Sequence, residues 1–99
     1  MNKIFKALIA LVTLVFLSMP SFAAPIELHY WHGHTGKLEN IINEIANRWN
    51  AKQDESKLIP TSKGSYEDIL AAFIAAYRAG EHPHMVQVYD AGAAIMVAQ

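Results

Sequence analysis

The sequence has no cysteine among its 99 residues, so no disulfide can form and no thiol is available as nucleophile, metal ligand or lipid acceptor. Long hydrophobic runs are missing as well. A bilayer-spanning helix needs about 20 consecutive apolar residues, and the apolar stretch from Ala7 to Leu17 stops well short and is interrupted by Thr13. There is no internal repeat, low-complexity tract or linker, and charge is scarce at 17% of residues. No serine sits in a nucleophile elbow, and the carboxylates Glu67, Asp68 and Asp90 have no evident base or metal partner. Enzymatic chemistry therefore lacks its usual parts, and the chain reads as a non-enzyme.

The first 23 residues form a recognisable unit. Lys3 and Lys6 precede the apolar stretch, Met19 and Pro20 interrupt helix just beyond it, and Ser21-Phe22-Ala23 places small side chains at the first and third positions. A basic start, an apolar core of about 7 to 15 residues and a small-residue cleavage site define a secretory signal peptide. Cleavage is expected after Ala23. An uncleaved anchor would call for a stop-transfer flank, and Pro25 to His32 is polar-interrupted instead. With no lipid-acceptor cysteine, the product is expected to be soluble, periplasmic and not membrane-anchored after cleavage. Residues 24–99 retain six of the eight Lys and Arg and all nine Asp and Glu, a net charge of −3. That balance argues against nucleic acid or an anionic membrane surface as partner. The 53% hydrophobic content is inflated by the leader.

Ile26 to Trp31 alternates apolar or aromatic residues with Glu27 and His29 and then meets Gly33 and Gly36, as a strand running into a turn does. Leu38, Ile41, Ile42, Ile45, Ala46 and Trp49 paint one stripe on a helix. Lys57 to Thr61 reads as a second strand, with Pro60 marking a strand end or an edge. Ser65 and Asp68 resemble a capping box at the start of a second helix, whose stripe is Ile69, Leu70, Phe73, Ala76 and Tyr77. Arg78, Gly80 and Pro83 close that helix in the order of basic last turn, glycine cap and proline stop. Met85 to Tyr89 is expected to be a third strand and Ala91 to Gln99 the start of a third helix.

The predicted fold class is therefore α/β, a β-α-β-α-β-α order with parallel strands, preceded by a signal-peptide helix. Ligands of such sheets bind beyond the strands' carboxyl ends, which directs attention to Trp31 to Lys37, Thr61 to Glu67 and Tyr89 to Gly92. Parallel sheets are normally covered on both faces. Three strands followed by the apolar Ala93 to Ala98 leave a sheet edge unpaired and an apolar face uncovered, so residues 24–99 are expected to be an incomplete lobe.

At these loop segments the sequence resembles a known family. Its motifs are Tyr30-Trp31-His32 followed by Gly36, Ala46-Asn47-Arg48-Trp49-Asn50-Ala51, Ile59-Pro60-Thr61 with Lys63-Gly64-Ser65-Tyr66-Glu67, and Gln87-Val88-Tyr89-Asp90-Ala91-Gly92. In this order and spacing, Ile26 to Gln99 resembles the N-terminal part of the periplasmic sn-glycerol-3-phosphate-binding proteins, extracytoplasmic receptors of ABC importers in the broader maltose-binding-like family. The resemblance implies the beginning of the first of two α/β lobes, a monomer that closes on a small solute and delivers it to membrane permease subunits, and no cofactor. The solute it implies is glycerol 3-phosphate, with a glycerophosphodiester as a related cargo. A sugar-binding receptor of the same family is the nearest alternative, and a remnant without transport function is another.

Carried over by position, the resemblance puts the family's ligand-contacting tyrosine on Tyr66 and its acidic ligand residue on Asp90, where the family has a glutamate one methylene longer. A tyrosine hydroxyl donates to a phosphate oxygen, whereas a carboxylate repels phosphate and accepts from glycerol hydroxyls. Tyr66 thus suits the phosphate and Asp90 the polyol. The competing readings are an exposed first-turn residue for Tyr66 and a helix N-cap for Asp90. Trp31, a weaker candidate, offers a ring for stacking or a plain cleft wall. Helix starts after Gly36 and Gly64, with Lys37 and Lys63 adjacent, attract anions in a permissive way. A rival reading uses His32 with His34 and His82 with His84, two His-x-His pairs that offer zinc or copper ligands. Their expected positions at opposite ends of the strands disfavour a shared metal.

Overall fold

The computed structural model of the chain describes residues 2–17 and 23–98. Met19, Pro20, Ser21 and Phe22, on which the cleavage-site reading rests, lie outside the described residues, as does Gln99. The elements are α1 (Lys3–Leu17), β1 (Ile26–His32), α2 (Lys37–Lys52), β2 (Ser56–Ser62), α3 (Tyr66–Arg78), β3 (Met85–Val86) and α4 (Asp90–Val97). After α1 the order is the alternation the periodicity predicts. Helix α1 carries the basic residues and the apolar stretch, and Thr13 within it returns its hydroxyl to the Ile9 carbonyl. Among the described residues no helix is long and apolar enough to cross a membrane.

The three strands form one parallel sheet in the order β2-β1-β3. Strand β1 pairs with β2 from Ile26↔Ser56 through His32↔Ser62, and with β3 at Tyr30↔Met85 and Trp31↔Val86. The chain thus steps from β1 to one side, crosses back over it and lands on the other. Right-handed crossovers in opposite directions place α2 and α3 on opposite faces of the sheet and put the switch point of the strand order at the carboxyl end of β1, where ligands of such sheets bind.

Local chemistry explains where the elements begin and end. Ser65 accepts from the Asp68 amide while the Asp68 carboxylate accepts from the Ser65 amide, a complete capping box. Gly64, at φ 97°, makes the turn into it in a backbone region that side chains disfavour. At the other end of α3, the Gly80 amide donates to Tyr77 and the Glu81 amide to Ala76, closing a Schellman motif. Strand β2 is an edge strand. The Asn50 carboxamide takes both the amide and the carbonyl of Leu58 on its outer side. Pro60 is two residues along, in the same phase, so its missing N–H also falls on the outer side and costs the ladder nothing.

Two expectations change. Strand β3 ends at Val86 rather than Tyr89. Its partner β1 itself ends at His32, and one further ladder bond, from the Gln87 amide to the Trp31 carbonyl, closes the pairing. The apolar stripe of α2 is also not uniformly buried. Ala46 is in the core at 2% exposed, but Leu38, Ile41, Ile45 and Trp49 are each about half exposed, at 56, 50, 54 and 49%. The side of α2 that meets the sheet carries Glu39, Ile42, Ala46 and Asn50, with Gln53 as the cap just past its end. The polar members are there because Gln53 and Asn50 satisfy the backbone of Ser56 and Leu58. The apolar ridge is rotated to one side of that contact.

Candidate functional site

The carboxyl end of the sheet gathers the residues the sequence singled out, beginning with the end of the central strand. His32 is fully buried, at 0% exposed. Its Nδ1 accepts from the His34 amide at 3.1 Å, so the proton of the neutral ring sits on Nε2, which has no hydrogen-bond partner. Burial holds this imidazole below its ordinary value near 6.5, His34 adds in the same direction, and Glu39 opposes. Gly33 follows in close quarters. A Cβ there would lie 2.9 Å from the Gly64 carbonyl oxygen and 3.0 Å from Ile69 Cδ1. Only glycine lets the loops after β1 and β2 touch in this way.

Gln87, just past β3, ties this loop down from the other side. Its Oε1 accepts from the Gly33 amide at 2.9 Å and its Nε2 lies 3.0 Å from His34 Nε2. With the amide donating, His34 accepts through Nε2 and carries its proton on Nδ1. One carboxamide therefore fixes both the path of residues 33–34 and the tautomer of His34. Nothing in the sequence marked Gln87 beyond its place in a motif, because its role depends on two loops that only the sheet order brings together.

Trp31 projects on the other side of β1 from His32. Thr61 is its partner on β2, and Lys63, two residues on, emerges on the same side. The Lys63 Nζ lies 4.2 Å from the centre of the Trp31 ring. One face of the indole is therefore already covered by a cation. Tyr66 is the first residue of α3, 45% exposed, and its ring packs at 5.6 Å and 37° against Tyr89. Tyr89 is the N-cap residue of α4, and Asp90 is the first residue within that helix, exposed, with its Oδ1 accepting from the Ala91 amide at 2.8 Å. Gly92 makes room for this arrangement, since a Cβ there would sit 2.9 Å from Tyr89 Cε1. The structure thus joins the α3 start, bearing Tyr66, to the α4 start, bearing Asp90, through Tyr89.

The histidine pairs are separated. His84 Nδ1 accepts from the His29 amide and its ring stacks on His29 at 6.0 Å, while His82 contacts Pro83, Tyr77 and Phe73. His32 and His34 are 5.8 Å apart, with one nitrogen of each already engaged. Among the described residues no group of three or more His, Cys, Asp or Glu can hold a metal ion.

An open, all-parallel sheet of three strands with its candidate residues grouped at the carboxyl end is consistent with part of one lobe of an α/β solute-binding protein. Known sequences agree. The chain is 41% identical over 90 residues to the sn-glycerol-3-phosphate-binding periplasmic protein UgpB of Brucella suis biovar 1 (strain 1330), a match covering 90% of this chain and 21% of that relative. It is 39% identical over 97 residues to the protein of the same name from Yersinia pestis bv. Antiqua (strain Antiqua), covering 98% of this chain and 22% of the relative. A third, from Brucella abortus (strain 2308), is 43% identical over 75 residues, covering 76% and 17% respectively. The chain matches a fragment of these glycerol-3-phosphate-binding periplasmic proteins, as its motifs implied, and spans about a fifth of their length. No family model matches it.

Proposed function

We propose that residues 24–99 supply part of the first lobe of a periplasmic solute-binding subunit of an ABC importer, with sn-glycerol 3-phosphate as its cargo. The observation that carries this reading is the match to the glycerol-3-phosphate-binding proteins along nearly the whole chain. Grouping of Tyr66, Tyr89 and Asp90 at the sheet's carboxyl end supports it independently. Asp90 keeps one carboxylate oxygen for its own helix and has the other for glycerol hydroxyls. The Tyr66 hydroxyl, on a half-exposed ring, is the donor for a phosphate oxygen. Residues 1–23 act as a leader cleaved after Ala23, and the product is a monomeric, unanchored carrier that delivers solute to permease subunits without doing chemistry on it.

The test is calorimetry on the Brucella suis relative with its matching stretch replaced by residues 24–98 of this chain. Binding of sn-glycerol 3-phosphate, lost by about tenfold or more on Tyr66→Phe or Asp90→Asn, is the expected result. Binding of a neutral sugar with no response to glycerol 3-phosphate would replace this reading with that of a sugar receptor.

A further inference from the structure

We propose that Lys63, held over the indole of Trp31, is an anion anchor at the sheet's carboxyl end and selects solutes that carry a phosphate monoester. This rests on the reading above only for the place of the ligand. The backbone of Lys63 is fixed on both sides. Its amide donates to the His32 carbonyl at 2.8 Å, extending the β1–β2 ladder one step past Ser62, and Gly64 then turns the chain into the capping box of α3. Strand alternation aims the side chain at the Trp31 face, where Nζ stands 4.2 Å from the ring centre.

The chemistry of that contact matters. A carboxylate partner would hold a lysine by neutralising it, whereas an aromatic face holds it through the ring quadrupole and leaves the charge to be used. Among the described residues no carboxylate pairs with Lys63; the His29–Glu27 and Arg48–Glu44 ion pairs lie elsewhere. The nearby acid Asp68 is committed to the Ser65 amide. Lys63 is therefore a half-buried, preoriented and unneutralised cation just past β2, while Asp90 stands past β3 on the other side of β1. An ammonium is a point charge with three donors, suited to phosphate oxygens and indifferent to a neutral polyol. Opposed signs at Lys63 and Asp90 set the direction in which a phosphorylated polyol lies.

Trp31 makes its own neighbour observable. In the full chain carrying Trp49→Phe, Trp31 is the single remaining indole, and its emission reports on the ammonium above it. Titrations at constant ionic strength use inorganic phosphate, sn-glycerol 3-phosphate and glycerol. The expected result is a saturable change with both phosphates and none with glycerol. Lys63→Met keeps the stem over the ring but removes the charge, and weakens the phosphate response at least tenfold. Lys63→Arg retains it. An unchanged response in Lys63→Met, or no phosphate response in the parent, overturns the anchor. Equal affinity for inorganic phosphate and sn-glycerol 3-phosphate, both lost in Lys63→Met, leaves the anchor standing and counts against glycerol 3-phosphate as the specific cargo.

Discussion

His32 shows how much one residue's chemistry depends on where the chain puts it. In the sequence it is half of a His-x-His pair. In the fold it is a neutral, fully buried ring with one nitrogen engaged and the other carrying an unpartnered proton. Its folded-state affinity for protons is depressed by burial. The unfolded chain therefore binds the proton first as pH falls, so the stability this ring permits is complete above its ordinary value near 6.5 and is lost progressively below it. Unfolding by urea at a series of pH values is expected to show that loss, and His32→Phe is expected to reduce the slope. Gly33 is the second residue-scale constraint. Gly33→Ala pushes a methyl group against the Gly64 carbonyl, which is backbone and cannot swing away. A cost of about 1–3 kcal/mol is expected from the shift in urea midpoint.

Among the elements, β2 depends most on a neighbour for its definition. An edge strand exposes unpaired amides and carbonyls that invite other strands, and here the Asn50 carboxamide from α2 occupies both groups of Leu58. Asn50→Ala would leave a part-buried amide and carbonyl unsatisfied. The expected cost is roughly 1–3 kcal/mol, with increased aggregation by light scattering as the outer edge of β2 is uncovered. Helix α4 illustrates a different dependence, since its start is set by Tyr89 rather than by a side-chain cap. Gly92→Ala would press on the Tyr89 ring and separate it from Tyr66. Loss of near-ultraviolet circular dichroism with little change in helix content is the expected signature.

At the scale of the whole molecule, the most informative feature is the ridge of α2 formed by Leu38, Ile41, Ile45 and Trp49. Helical periodicity alone assigns all of them to the interior, yet each is about half exposed. A sheet of three strands is only about 10 Å across between its outer strands and accepts one ridge of a helix, which here is the one bearing Ala46. Ile69, fully buried from α3 against Gly33, is the contrasting case. Ile41→Lys is expected to change the unfolding free energy by less than about 1 kcal/mol, whereas Ile69→Ala is expected to cost about 2–5 kcal/mol. Equal effects of the two would mean that the ridge is in fact covered.

The order of elements, the parallel class of the sheet and the caps of α3 follow from sequence alone, because hydrophobic period, Ser65 with Asp68, and Gly80 act within a few residues of themselves. Pro60 narrowed β2 to a strand end or an edge for the same reason, and the sheet order decided for the edge. Sequence could also nominate Tyr66 and Asp90, through motif and loop position. It could not reveal that Tyr89 links them, that Gln87 clamps Gly33 and His34, or that Lys63 stands over Trp31. Each of those contacts joins segments that are neighbours only once β1 lies between β2 and β3. Burial was likewise a tertiary decision. Periodicity says which side chains share a face, but the width of the sheet determines how much of that face it can cover.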